Sequence, residues 1–457
     1  MGHLFRHQEG EAAPPPAIAN IPAPQASTID YDWILISGFI IVLTQVGFAF
    51  IEAGSVRYKN SQSIVIKVIL GLFLTILIWW LFGYGFSFGY DFQTNFMGGT
   101  KLGGANWEAN QFGNDYTNFV FRASGAAIAV SVLSGAAAER MTFLAWSILA
   151  IIYAGFIYAG LAHWTLAQGW LTTLGYKDFS GAGVVFFAAG VAGLVVTVLL
   201  KPRRFRFDPN TTLQFQRHSP IYIAFGSILV FAGWLFYNGG VVAQGANSKY
   251  TQGLVAVNTL VAGATGGFFA FIIRYFQYET TSLVALSRGI ISALVAVSAA
   301  TDDMKPWTAF IYGLLAAVFY SVLAKVIPKV HIDDPVEVVP VFLGNGFLGI
   351  FLSAFFDTKA GVFYGFGAKL LGMQLLGLLI IFVWVAFFVL ITLLILKGFG
   401  VLRIDSETES VGIDKAHCLG EAIVFANQID EVPLVPKTEL VKLGNSQIGS
   451  GFRPGFR

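Results

Sequence analysis

The chain has 457 residues, of which 12% are charged, with 28 basic and 26 acidic side chains and a net charge of +2. Hydrophobic residues make up 56%, Phe alone contributes 44, and mean hydropathy is +0.69. A soluble domain carries about 25% charged residues, so this composition excludes a soluble enzyme, a disordered chain and a disulfide scaffold, and it gives no electrostatic case for nucleic acid.

The chain opens with an Ala/Pro-rich arm over 1–30, marked by Pro14, Pro15, Pro16, Pro22 and Pro24. Such a composition favours an extended segment. The arm lacks the apolar stretch of a secretory signal, and Glu9 and Glu11 interrupt any transit-peptide pattern. Gly2 suits myristoylation, but Arg6 stands where that motif wants Ser or Thr. A helix crossing the hydrocarbon core needs roughly 20 mostly apolar residues. Eleven stretches qualify: 33–52, 64–89, 117–138, 142–163, 181–200, 220–240, 253–276, 283–301, 306–327, 337–356 and 368–397. They are too long and too continuously apolar for the alternating strands of a membrane barrel. Small residues such as Ser131, Ser134 and Gly135 favour close helix packing. A polar tail over 401–457 ends the chain, leaving 31–400 as the membrane domain. The single Cys418 excludes an intramolecular disulfide and any Cys-based metal site, and no cofactor motif is present.

Loops after odd-numbered spans are rich in Lys and Arg (Arg57, Lys59, Arg140, Lys201, Arg203, Arg204, Arg206, Arg217, Arg274, Lys325, Lys329). Loops after even-numbered spans carry only Lys101, Lys177, Lys249, Lys305, Lys359 and Lys369. The bias predicts an N-terminus outside and a C-terminus inside. An odd span number suits two inverted five-helix repeats plus a long eleventh helix. Two segments support that symmetry. Asp178 precedes Phe186 by eight positions at the fifth span, and Asp334 precedes Phe342 by eight at the tenth. A carboxylate at such a place caps free N–H groups.

Six stretches carry a family resemblance. They are Gly47-Phe48-Ala49-Phe50-Ile51-Glu52-Ala53-Gly54, Trp80-Leu81-Phe82-Gly83-Tyr84-Gly85, Ser134-Gly135-Ala136-Ala137-Ala138-Glu139-Arg140, Ala162-His163-Trp164 with Asp178-Phe179-Ser180-Gly181, Asp333-Asp334-Pro335, and the tail with Arg403, Glu407, Glu409, Gly412, Asp414, His417, Gly420 and Glu421, where Cys418-Leu419 is inserted after the His. In this order, over roughly 33–421, the sequence resembles the ammonium transporter, methylammonium permease and Rhesus glycoprotein family. The resemblance implies an all-α polytopic membrane protein that assembles as a trimer, homomeric or heteromeric, with a narrow pore in each protomer. It also implies a vestibule that recruits ammonium, two gating Phe rings, and a pair of pore histidines.

The pore positions depart from that pattern. The twin-histidine positions are Phe186 and Phe342. The vestibule Trp and Ser positions are Leu166 and Val241. The gate positions are Gly125 and Tyr237, with Arg122 where a Gln belongs; Asn238 matches, and Asp178 is the pore-supporting carboxylate. Phe has no hydrogen-bonding group, so two Phe rings make a dry plug without a proton relay. Bare ammonium in such a place costs many kcal/mol.

Other residues have plainer expectations. Arg288 reads as snorkelling or paired with a carboxylate, Lys67 as part of a structural ion pair, and Glu139-Arg140 as interfacial anchors. His163, beside Trp164, reads as part of an interfacial belt, and His417 as solvated or packed in the tail. No nucleophile–base pair, metal cluster or phosphate loop lies within the spans, so an enzyme is not expected. The leading expectation is a Phe-plugged, non-conducting structural or accessory subunit of a membrane complex. The alternative is working transport of ammonium, ammonia or another small neutral solute. The resemblance makes the plasma membrane the default, and an organellar membrane such as the mitochondrial inner membrane is compatible. Lipids are expected partners, and the arm and tail are candidate tethers to other subunits.

Overall fold

A computed structural model describes residues 28–90, 96–110, 113–167, 169–243 and 248–418. The arm over 1–27 and the tail beyond 418, including Gly420 and Glu421, lie outside the described residues. Among those described, eleven helices form the body. They are α1 (Tyr31–Ser55), α2 (Tyr58–Phe88), α3 (Asp115–Ala136), α4 (Phe143–Ile152 continuing through Tyr153–Ile157 to Tyr158–Thr165), α5 (Ala182–Leu200), α6 (Pro220–Val242), α7 (Thr251–Tyr278), α8 (Leu283–Val297), α9 (Pro306–Lys329), α10 (Val339–Phe356) and α11 (Lys369–Gly398). Ten of the spans have the length and apolarity to cross a bilayer. The chain is a multi-pass integral membrane protein.

The exception is α8, which has 15 residues where the sequence predicts a span over 283–301. Its last twelve residues are almost all buried by protein, so lipid thickness does not set its length. The chain leaves the helix at Ser298, whose hydroxyl turns back onto the Leu294 carbonyl at 2.8 Å. The core helices α3 and α5 are likewise mostly enclosed, whereas α9 and α11 expose apolar side chains along much of their length. Lipid is the only solvent in which such exposed Phe, Leu and Val faces are stable.

Helices α5 and α10 cross at backbone contact. A Cβ at Gly190 would stand 2.3 Å from the Leu343 amide nitrogen, so this crossing requires glycine. Both helices begin with a π-helical turn, Ala182–Phe187 in α5 and Val339–Gly344 in α10. Such turns widen the helix by one residue and often mark functional positions. Each turn is capped by the carboxylate anticipated from the spacing. Asp178 Oδ2 accepts from the Gly183 and Val184 amides at 2.9 Å, and Asp334 Oδ2 accepts from the Val339 amide at 2.7 Å.

One end of the bundle is closed by a buried ionic collar. Arg203 makes a bidentate pair with Asp333 at 2.7 and 2.8 Å and reaches Glu139 at 2.7 Å. Glu139 also accepts from the Arg57 amide at 2.9 Å and from Asn60 at 3.0 Å. Arg140, fully buried, donates to the Ala136 and Lys201 carbonyls and lies 3.4 Å from Asp333. This corrects the reading of Glu139-Arg140 as interfacial anchors. The helix has already ended, and Glu139 sits at φ 66°, so the two side chains turn into separate parts of the network. Burial alone would raise the Asp333 carboxyl, but the Arg203 guanidinium and its hydrogen bonds hold it well below the usual carboxylate range. The C-terminal segment docks here. Arg403 donates to the Pro202 carbonyl and Glu409, and Asp414 accepts from the Gln62 and Ser63 amides at 2.8 Å.

Candidate functional site

The centre of the bundle is a column of aromatic rings. Phe186 has no exposed surface and stacks on Trp234 at 4.6 Å between centroids, with planes 21° apart. Its other neighbour is Phe342, 6.2 Å away and 26° from parallel. Tyr237 meets Phe186 edge-on at 6.1 Å and stacks on Phe121 at 6.1 Å. Phe342 continues the column to Phe48 at 6.5 Å. The column thus runs Phe121, Tyr237, Phe186, Phe342, Phe48, drawing on α3, α6, α5, α10 and α1. Each well-placed aromatic pair adds about 0.5–1.5 kcal/mol beyond its area burial.

Polar groups touch the flanks of this column. Trp234 Nε1 donates to Ser298 Oγ at 2.9 Å, and Asn238 Nδ2 donates to Thr259 Oγ1 at 3.0 Å. Beside Tyr237, Gly125 leaves its side-chain position open. A Cβ there would reach Tyr237 at 3.5 Å and the Tyr158 and Tyr237 hydroxyls at 3.9 Å, all ordinary contacts. Arg122 lies with its guanidinium over Phe88 at 5.1 Å and Phe121 at 5.8 Å, within cation–π range.

Beyond Phe342, on the collar side, the lining becomes charged. A cavity of about 10 Å³, room for one water at most, is bounded by Phe48, Glu52, Ser131, Arg288 and Phe342. Ser134 Oγ donates to Glu52 at 2.7 Å. Arg288 lines this cavity, and its partners Ser55 and Glu337 line, with Arg217, an open cleft of about 460 Å³. Its Nη2 donates to Ser55 Oγ at 2.6 Å and its Nε to Glu337 at 3.1 Å. Glu337 is shared with Arg217 at 2.8 Å and accepts from the Tyr320 hydroxyl at 3.2 Å. Arg288 is therefore paired with a carboxylate and does not snorkel. Removing one partner of such a pair leaves a buried charge and costs about 3–5 kcal/mol.

Of the residues singled out by sequence, Phe186, Phe342 and Tyr237 come together in the column, with Gly125 beside Tyr237. Asn238 and Asp178 support its walls. Leu166 and Val241 are half-buried and pack against the core. Two plainer expectations need correction. Lys67 makes no ion pair among the described residues; its Nζ donates to the Met141 carbonyl at 2.8 Å, an acceptor freed by the turn after α3, and lies over the Phe143 ring. His163 is buried rather than interfacial, because its Nδ1 donates to the Ser87 carbonyl at 2.8 Å. Sequence reasoning missed Trp234, Phe48, Phe121 and the Arg288–Glu337–Arg217 chain. Trp234 had a signal, since it precedes Tyr237 by three positions and so shares its helix face.

Similarity to known proteins agrees with this architecture. The model of the Ammonium Transporter Family matches residues 32–422. Ammonium transporter 3 of Dictyostelium discoideum is 29% identical over 416 residues, covering 87% of this chain and 94% of that protein. Among solved structures, a sensor Amt protein superposes with a TM-score of 0.80 at 27% identity, covering 86% of this chain and 98% of that one. Candida albicans Mep2 superposes with a TM-score of 0.79 at 25% identity, covering 90% and 94%. On the extent of the family match, and with eleven helices arranged as in those structures, the chain belongs to the ammonium transporter family.

Proposed function

We propose that the chain is a transport-fold membrane protein whose central path lacks a proton relay, so that a solute crossing it does so as a neutral molecule, with ammonia the leading candidate. The observation that carries this reading is the Phe186–Phe342 stack. These two residues take the places of the family's twin histidines. Gly125 and Tyr237 take the gate positions, Leu166 and Val241 the vestibule, and Arg122 stands at the entrance. Two phenyl rings neither accept nor donate a proton, and they replace none of the hydration that ammonium loses on entering a dry path. Arg288 adds positive charge at the inner end, which opposes a cation further.

In this reading the membrane domain over 31–400 consists of two inverted five-helix halves plus α11. The matching carboxylate-capped π-turns of α5 and α10 support that symmetry. The collar and the C-terminus face inside, in keeping with the loop charges. The protomers form trimers, and the arm over 1–30 and the tail over 401–457 tether them to a larger membrane assembly.

A second reading has a specific observation in its favour. The rings of the column meet one another, and only about 10 Å³ opens beneath Phe342. This favours a non-conducting structural or accessory subunit. Proteoliposomes loaded with a pH dye separate the two. Alkalinisation of the lumen on an ammonia gradient, faster than in protein-free vesicles and slowed or accelerated by Phe186→Ala, supports neutral transport. Flux equal to that of protein-free vesicles supports the accessory role. Saturable flux accompanied by charge movement contradicts both.

A further inference from the structure

We propose that the cleft between the inner ends of α7, α8 and α9 is a binding site for a phosphate group, presented as the phosphomonoester headgroup of a lipid in the adjoining leaflet. The cleft encloses about 500 Å³ and is lined by Arg217, Arg274, Tyr278, Tyr320, Lys325 and Lys329, with Glu337 at its inner wall. It lies on the collar side, next to the cleft that Arg217 and Glu337 also line. Glu337 is already engaged by Arg217 and Arg288. Among the described residues, Arg274, Lys325 and Lys329 pair with no carboxylate. Glu279, exposed beyond Tyr278, is the other acidic residue of this segment.

The cations are held in convergent positions. Tyr278 carries the Arg274 guanidinium over its ring at 3.8 Å and the Lys325 ammonium at 5.6 Å. One ring thus gathers charges from α7 and α9 that would otherwise repel each other. Like charges collected without a counter-ion are unfavourable in water and become favourable when an anion fills the space. Guanidinium and ammonium groups together suit the oxygens of a phosphomonoester.

The surroundings point to a lipid as the bearer. Tyr275 is 45% exposed, Phe276 78% and Tyr278 48%, at the end of a membrane-spanning helix. Aromatic residues in such a position mark the level of the headgroups. Basic pockets between spans at this level bind anionic headgroups. Neither the aromatic column nor its chemistry is part of this site.

The test uses full-length protein in mild detergent, with native mass spectrometry reading retained phosphatidic acid and phosphatidylcholine. Phosphatidic acid should be retained roughly tenfold over phosphatidylcholine. Lys325→Ala with Lys329→Ala should weaken that retention by about 30-fold, since each cation near the surface contributes on the order of fivefold. The melting temperature should not change, and Lys325→Arg with Lys329→Arg should preserve binding. Millimolar inorganic phosphate that displaces the lipid would assign the site to a phosphate-bearing solute, whereas failure to displace it would assign the site to the lipid. Equal retention of both lipids, or unchanged retention in Lys325→Ala/Lys329→Ala, overturns the proposal.

Discussion

The collar and the aromatic column solve opposite problems within about one helix length of each other. In the collar, Arg203, Arg140, Glu139 and Asp333 are buried and Arg57 is half-buried, and their ion pairs tie the loops after α1, α3, α5 and α9 into one piece. In the column, Phe121, Tyr237, Phe186, Phe342 and Phe48 fill the space between the helices with rings. Charge persists where it holds loops together. Along the middle of the membrane, Phe186 and Phe342 present only carbon to each other. The difference separates a charged scaffold at one end of the bundle from an apolar centre.

The comparison breaks most readily at the collar. Asp333→Ala should destabilise the protein by about 3–5 kcal/mol, because it leaves Arg203 buried and half-paired. Thermal unfolding in detergent, followed by intrinsic fluorescence, reads this. A loss below about 1 kcal/mol, the worth of a surface pair, would remove the collar as the scaffold. Phe186→Ala comes next. It should cost about 3 kcal/mol through the cavity left beside Trp234 and Phe342, and less if the neighbours close in.

Acid sharpens the same contrast. The folded-state pKa of Asp333 lies below its unfolded value, so its stabilisation is complete above about pH 4 and is lost as pH falls from there through the depressed folded value. Unfolding temperature should therefore drop below about pH 4 in the parent protein. Asp333→Asn should show a weaker acid dependence, and an unchanged one would assign the acid sensitivity to other carboxylates. The smallest effect is expected at Gly125→Ala, whose new methyl group meets only ordinary contacts. Its stability should stay within about 0.5 kcal/mol of the parent.

Much of this architecture is legible in the amino-acid sequence, for physical reasons. Hydrocarbon thickness sets span length, so ten spans are legible, nine of them to within three residues at each end, while α2 starts six residues before its expected position. Helix α8 ran short because protein encloses it and lipid does not measure it. The eight-residue spacing from Asp178 to Phe186, repeated from Asp334 to Phe342, marked two equivalent helix starts, and the family resemblance then pointed to these two rings as the centre. Phe48 and Phe121 were not legible as members of the column, since their contacts join helices far apart in sequence. Glu139-Arg140 misled for a different reason. Helix spacing says only that adjacent residues do not face each other, whereas the chain turns left-handed at Glu139 and buries both side chains.

Whether the column carries charge decides the account. Electrogenic response on a solid-supported membrane, after a pulse of ammonium onto reconstituted protein, reads it directly. The account predicts no current above protein-free membranes for the parent protein, because no group between Tyr237 and Glu52 in the column can pass a proton. A saturable current abolished by Phe186→Ala or Phe342→Ala would contradict it.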